Sequence, residues 1–172
     1  MIQMQTRRND IRRLKATVIA IFVMLLLLPY NGRMAVSEHS AWWTHWVYML
    51  AHGNILHLAV NAWVLLMMHK AMKAYRVVAA WIVSVAISYL YYPELPVVGA
   101  STVIMFITGY YIPLMAYRSG WGSVVMIALC ISIGFFVPQL AGMYHLLCCL
   151  AGVVFFFIDR IVQSCWDFCV ND

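Results

Sequence analysis

Six long apolar stretches fill most of this chain, and they constrain its fold more than any other feature. Only 10% of the residues are charged, against roughly 25% in a soluble domain. A helix of about 20 apolar residues crosses a bilayer because it satisfies its own backbone hydrogen bonds. The sequence therefore predicts an all-α, polytopic membrane protein of six transmembrane helices. The stretches lie at about residues 15–30, 52–69, 77–92, 99–117, 121–138 and 142–159.

The basic residues predict how these helices are oriented. Arginine and lysine collect on the cytoplasmic flanks of membrane helices, and every one here except Arg33 falls on one side if the spans alternate. Both termini are then cytoplasmic. The chain divides into a basic cytoplasmic segment (1–14), a six-helix membrane domain (15–160) and a cytoplasmic tail (161–172). Because this pattern accounts for the net charge of +5, the lipid bilayer is predicted as a partner and nucleic acid is not.

Polar residues at the outer ends of three stretches are candidates for a functional site, because polar groups inside a span are costly. The second stretch carries His52, His57 and Asn61, the fourth carries Ser101, and the sixth carries His145. Counting along each helix to its cytoplasmic basic residue gives the depth of these side chains. His57, Ser101 and His145 all lie roughly 20 to 25 Å above the inner boundary. Side chains from three helices at one depth are expected to meet in one cavity.

The chemistry of these residues favours acyl transfer. A serine hydroxyl becomes a nucleophile when an adjacent base takes its proton, and histidine is the usual base. No acidic residue lies in the interior of a predicted span, so Ser101 and His145 are predicted to form a dyad, not a triad. His57 and Asn61 are four residues apart and share one helix face. They are predicted to stabilise the oxyanion together with the backbone amide at the start of the fourth helix.

Other interpretations of the same residues stay open. His52 is five residues before His57, and helical spacing turns it away by about 140°, which predicts a structural role. A metal site formed by His52, His57 and His145 is an alternative, although the first two are poorly spaced for chelation. No cofactor is predicted. A small transporter is a more distant alternative, because the sequence has no repeated half.

At these positions the chain resembles the rhomboid family of intramembrane serine proteases. The second helix of that family carries a histidine, a second histidine five residues later and an asparagine four residues after that, as do His52, His57 and Asn61. Its fourth helix starts with glycine, any residue and serine, as do Gly99 and Ser101.

Two further glycines extend the resemblance. Gly109 lies eight residues after Ser101, where the family has glycine, and Gly152 lies seven residues after His145, where the family has a small residue. Such residues let neighbouring membrane helices approach closely. The resemblance runs from Trp43 to about residue 152 and implies a structural role near the site for His52 and the three glycines.

The resemblance implies a compact, six-helix prokaryotic type of rhomboid in the inner membrane of a bacterium. It implies an endopeptidase that cleaves transmembrane segments of other membrane proteins near the outer face, and it does not imply any oligomeric state. Four departures from the family pattern occur at Trp43-Thr44, Thr102, Met105 and Cys148. Thr102 replaces the usual glycine beside the nucleophile. The alternative is a catalytically inactive rhomboid-like protein that binds membrane helices.

Overall fold

Eight α-helices make up most of the described chain. The computed structural model describes residues 2–91, 95–119, 121–136 and 141–171. Apart from an isolated antiparallel bridge between Val36 and Val97, these residues form no β structure, which confirms the all-α prediction for this part of the chain. The helices are α1 (Ile2–Leu27), α2 (Asn31–Met34), α3 (Thr44–Val47), α4 (Ile55–Met67), α5 (Ala74–Leu90), α6 (Ser101–Ser119), α7 (Trp121–Phe136) and α8 (Gly142–Asn171), with 3-10 turns at Leu28–Tyr30 and Tyr48–Leu50.

Each of the six long helices overlaps one apolar stretch, but local signals decide where it ends. α1 begins at Ile2 and so includes most of the segment 1–14, because arginine and lysine are good helix formers. α8 likewise continues through most of the segment 161–172. α4 begins at Ile55 because Asn54 caps it: the side-chain oxygen accepts a hydrogen bond from the His57 N–H at 2.8 Å. Pro93 and Pro96 predict a break in the helix between the third and fourth apolar stretches, and residues 92–94 of this connection lie outside the described residues.

One helix among the described residues is long and apolar enough to cross a membrane, namely Gly142–Trp166, with a mean hydropathy of 2.0. A second candidate is the pair Thr44–Leu50 and Ile55–Met67, which is bent by 80° at its break. Ala74–Leu90 and Val124–Phe136 are apolar but shorter. By length and composition, one or two helices in this part of the chain are thus candidates to span a membrane, and six spans stay a prediction.

The chain divides into two compact units, Met1–Ile104 and Met105–Asp172. In the first unit, α1, α4 and the start of α6 share an apolar core, and the segment between α2 and α4 packs beside α5. The buried Tyr48 anchors this segment, since its hydroxyl donates to the Ser84 carbonyl at 3.2 Å. The core residues are Met24, Leu58, Leu65, Ala100 and Ile104.

The second unit contains the rest of α6 with α7 and α8. A Cβ atom on Gly109 would overlap the backbone carbonyl of Cys149, and one on Gly152 would overlap that of Phe106. The backbones of α6 and α8 therefore touch at two points that only glycine permits. In the same interface the Tyr110 hydroxyl donates a hydrogen bond to the Asp159 carboxylate, a pairing that the sequence does not predict.

Candidate active site

Gly99 is the point at which polar side chains of the first unit gather. Its φ of +122° lies in the region that favours glycine, and its N–H donates to the Tyr48 carbonyl at 3.0 Å. A Cβ atom here would lie 2.7 Å from Cε1 and 3.0 Å from Nε2 of His57, and 3.4 Å from Nδ2 of Asn61. The missing side chain thus makes room for His57 and Asn61 beside the start of α6.

α6 begins at Ser101, two residues after this glycine. Its first intrahelical bond runs from the Ile104 N–H to the Ala100 carbonyl at 3.0 Å, so the N–H groups of the residues between them have no partner within α6. These groups also form the positive end of the helix dipole. The Ser101 side chain is partly exposed. The fold therefore presents a serine hydroxyl beside a set of backbone donors.

His52 lies in the extended segment before α4 and not in the helix. Because α4 begins only at Ile55, helical spacing does not set the direction of His52, and the prediction that His52 is turned away from His57 is wrong. The structural role of His52 stays a prediction. The two imidazole rings meet edge to face, with centroids 5.2 Å apart. His52 is fully buried, and the Ala100 N–H points at its Nε2 at 3.5 Å. His52 thus lies beside the start of α6 with His57.

Two buried polar atoms near this helix start have no hydrogen-bond partner among the described residues, namely Asn61 Nδ2 and Thr102 Oγ1. The Asn61 side chain is 5% exposed and that of Thr102 is 0% exposed. Buried polar atoms without a partner are rare in native proteins and cost about 1–3 kcal/mol each. The sequence predicts Asn61 as a donor, whereas it marks Thr102 only as a residue that replaces the glycine of the rhomboid pattern.

His145 lies in the first turn of α8, in the second unit, and its side chain is partly exposed. Its N–H donates to the Ala141 carbonyl at 3.2 Å. Gly109 and Gly152 belong to the same unit. Ser101 belongs to the other, so the pairing of Ser101 with His145 stays a prediction. Within the described ranges, no group of three or more His, Cys, Asp or Glu side chains is arranged to hold a metal ion.

A second polar cluster, which the sequence does not predict, surrounds His45 in the first unit. The buried His45 has Nδ1 2.9 Å from Ser88 Oγ, and its ring stacks on Tyr89 with centroids 3.9 Å apart. Ser88 Oγ donates to the Val85 carbonyl at 2.7 Å, so it accepts from Nδ1–H of the histidine. Burial lowers the pKa of His45, and a hydrogen bond with the Ser88 backbone partly opposes this. The neutral imidazole therefore joins α3 to α5.

Comparison with known proteins gives no match of any kind. Neither models of protein families, nor curated proteins, nor solved structures match this chain. The resemblance to rhomboid proteases accordingly rests on the residues of this sequence, and above all on the histidines and asparagine before and in α4 and on the glycine and serine at the start of α6.

Proposed function

We propose that this chain is an intramembrane serine endopeptidase of the rhomboid type, with Ser101 as nucleophile and His145 as general base. The observation that carries the proposal is the position of His57 and Asn61, whose nitrogen atoms lie beside Gly99 at the start of the helix that bears Ser101. Side-chain donors and free backbone N–H groups at one place are what a developing oxyanion requires. The substrates are transmembrane segments of other membrane proteins, cleaved near the outer face.

The proposed reaction proceeds through an acyl-enzyme. Ser101 Oγ attacks the scissile carbonyl carbon while its proton passes to His145, and the carbonyl oxygen becomes an oxyanion. That oxygen accepts hydrogen bonds from Asn61 Nδ2, from His57 Nε2 and from the backbone at the start of α6. His145 then protonates the departing amine. In the second half, His145 takes a proton from water, the resulting hydroxide attacks the acyl carbon, and Ser101 recovers its proton.

The proposal includes six membrane spans, formed by α1 and by α4 to α8, with both termini cytoplasmic in a bacterial inner membrane. Its support is the overlap of each long helix with an apolar stretch and the basic residues at one set of helix ends. Single cysteines at Glu38 and Lys70, in a chain whose native cysteines are replaced, test the orientation. We expect an impermeant thiol reagent to label Glu38→Cys in intact cells, and labelling of Lys70→Cys would contradict the topology.

Reporter cleavage in liposomes tests the activity. The purified chain is reconstituted with a single-span reporter protein, and Ser101→Ala and His145→Ala are expected to abolish cleavage. Asn61→Ala is expected to slow it by about a hundredfold, the typical effect of losing one oxyanion donor. Ser132→Ala, an exposed serine of α7, and His69→Ala, whose ring bonds within its own region of the chain, are matched controls with full activity.

Two outcomes would redirect the proposal. Cleavage that persists in Ser101→Ala would show that the serine is not the nucleophile. Reporter binding without cleavage by the unaltered chain, across several reporters and lipid mixtures, would favour the catalytically inactive, helix-binding alternative.

A further inference from the structure

Thr102 carries a hydroxyl that the reaction described so far does not use. The side chain is fully buried, and Oγ1 has no hydrogen-bond partner in the part of the chain that the structure describes. A helical threonine often bonds its hydroxyl back to the carbonyl three or four residues earlier, here that of Gly99 or Val98. That bond is absent. The hydroxyl is therefore held in the protein interior at a cost, which is a feature that folding alone does not favour.

The direction of the side chain points to a use for this hydroxyl. Helical side chains lean toward the N-terminus of their helix and cover the turn before their own Cα. Thr102 is the second residue of α6, so its side chain is expected to lean toward the start of the helix, and Gly99 lies three residues earlier in the chain. The other orphaned atom, Asn61 Nδ2, lies beside that same glycine. Two buried polar atoms without partners thus flank one helix start whose backbone N–H groups are also available.

We propose that the Thr102 hydroxyl is a further hydrogen-bond donor to the oxyanion that forms when Ser101 attacks a carbonyl. This inference rests on the proposed function. Among the described residues the hydroxyl has no partner, and a hydrogen bond to the reacting oxygen would supply one as negative charge develops there. Its hydrogen bond therefore lowers the barrier of the reaction and contributes nothing to folding. Thr102 would distinguish this chain from relatives that have glycine at the same place.

The experiment uses a fluorophosphonate, whose phosphorus takes the place of the carbonyl carbon. Ser101 Oγ forms a bond to phosphorus, the P–F bond breaks, fluoride leaves and the hydroxyl proton passes to His145, while the phosphoryl oxygen occupies the oxyanion position. Thr102→Val keeps the shape and removes the hydroxyl, whereas Thr102→Ser keeps the hydroxyl. Thr108→Val makes the same change elsewhere in α6 and is the matched control. Labelling rate and melting temperature are measured on the full-length chain in one detergent.

We expect Thr102→Val to label at least about tenfold more slowly, because the variant loses a hydrogen bond to an oxygen on which negative charge develops. Thr102→Ser and Thr108→Val are expected to label at rates within about twofold of the unaltered chain. Thr102→Val should also melt at or above the temperature of the unaltered chain, because the change removes an orphaned hydroxyl. If the hydroxyl instead stabilises the fold, Thr102→Val should melt at a lower temperature. Melting temperature and labelling rate together therefore distinguish a catalytic donor from a structural residue.

Failure of this inference and failure of the proposed function look different. If the unaltered chain labels at Ser101 and Thr102→Val labels equally fast, Thr102 is not a donor and the proposed function stands. A slow Thr102→Val that also melts at a lower temperature assigns the residue to packing and overturns the inference. If the unaltered chain does not label at all, the proposed function fails and the role of Thr102 fails with it.

Discussion

Replacing Gly99 by alanine perturbs the candidate site at the point where its side chains meet. The backbone of this residue has a φ of +122°, and an added Cβ would lie 2.7 Å from Cε1 of His57 and 3.4 Å from Nδ2 of Asn61. Real Cβ atoms do not approach a neighbour to 2.7 Å. Gly99→Ala must therefore strain the backbone and also push the His57 ring away from the start of α6.

The two effects have separate magnitudes. A non-glycine residue in this region of φ costs about 1–3 kcal/mol, and one added methyl group in a packed site costs about another 1–3 kcal/mol. We therefore expect Gly99→Ala to lower the free energy of unfolding by about 2–6 kcal/mol. Gly53→Ala is the matched control, because a Cβ there has no neighbour closer than 3.9 Å, and it should change stability by less than about 1 kcal/mol.

Equilibrium unfolding in mixed micelles measures these values, and a double-mutant cycle with His57→Ala assigns them. If the imidazole is the obstacle, Gly99→Ala should cost less in the His57→Ala background, with only the backbone strain remaining. Equal stability of Gly99→Ala and the unaltered chain would refute the reasoning. An identical cost in both backgrounds would refute the part that concerns His57.

Three further changes test other contacts in the same unfolding assay. Gly109→Ala should force α6 and α8 apart and lower the free energy of unfolding by about 1–3 kcal/mol. Gly122→Ala is the control and should leave stability unchanged, because a Cβ there meets nothing within 4 Å. Similar results for both variants would contradict the close approach of the two helices. Tyr110→Phe should cost about 1–3 kcal/mol, because it removes the donor to the Asp159 carboxylate, and an unchanged stability would show that this bond is not formed. Because burial lowers the folded-state pKa of His45, its contribution to stability is fully present above the unfolded value of 6.5 and is lost as the pH falls below it. His45→Gln should therefore flatten the fall in stability between about pH 7 and pH 5, and an unchanged slope would contradict the role of this residue.

The sequence predicts the helices well and their ends less well. Apolar stretches locate six long helices because backbone N–H and C=O groups that are removed from water must hydrogen-bond to one another. A helix satisfies these groups within a single segment. The start of α4 could have been predicted: Asn54 is a capping residue type, and a helix that begins after it leaves His52 outside the helical spacing. A helix that begins at Ile55 leaves the direction of His52 open, so its proximity to His57 is compatible with the sequence.

Other features depend on tertiary packing and leave no local pattern. Nothing near Thr102 in sequence shows that its hydroxyl is buried without a partner among the described residues, since that depends on what α6 packs against. The bond between Tyr110 and Asp159 joins residues 49 apart. The spacing of His57 and Asn61 predicts that they share one helix face. Their approach to Gly99 depends on the positive φ of that residue, which no pattern in this sequence predicts.

The most direct test of the central claim is to map the residue that a fluorophosphonate modifies, by mass spectrometry of the labelled full-length chain. We expect a single adduct on Ser101 in the unaltered chain, none in Ser101→Ala, and labelling of His145→Ala that is slower by at least about a hundredfold, because the serine would lack its base. An adduct on another residue, or equal labelling of His145→Ala, would contradict the Ser101–His145 dyad.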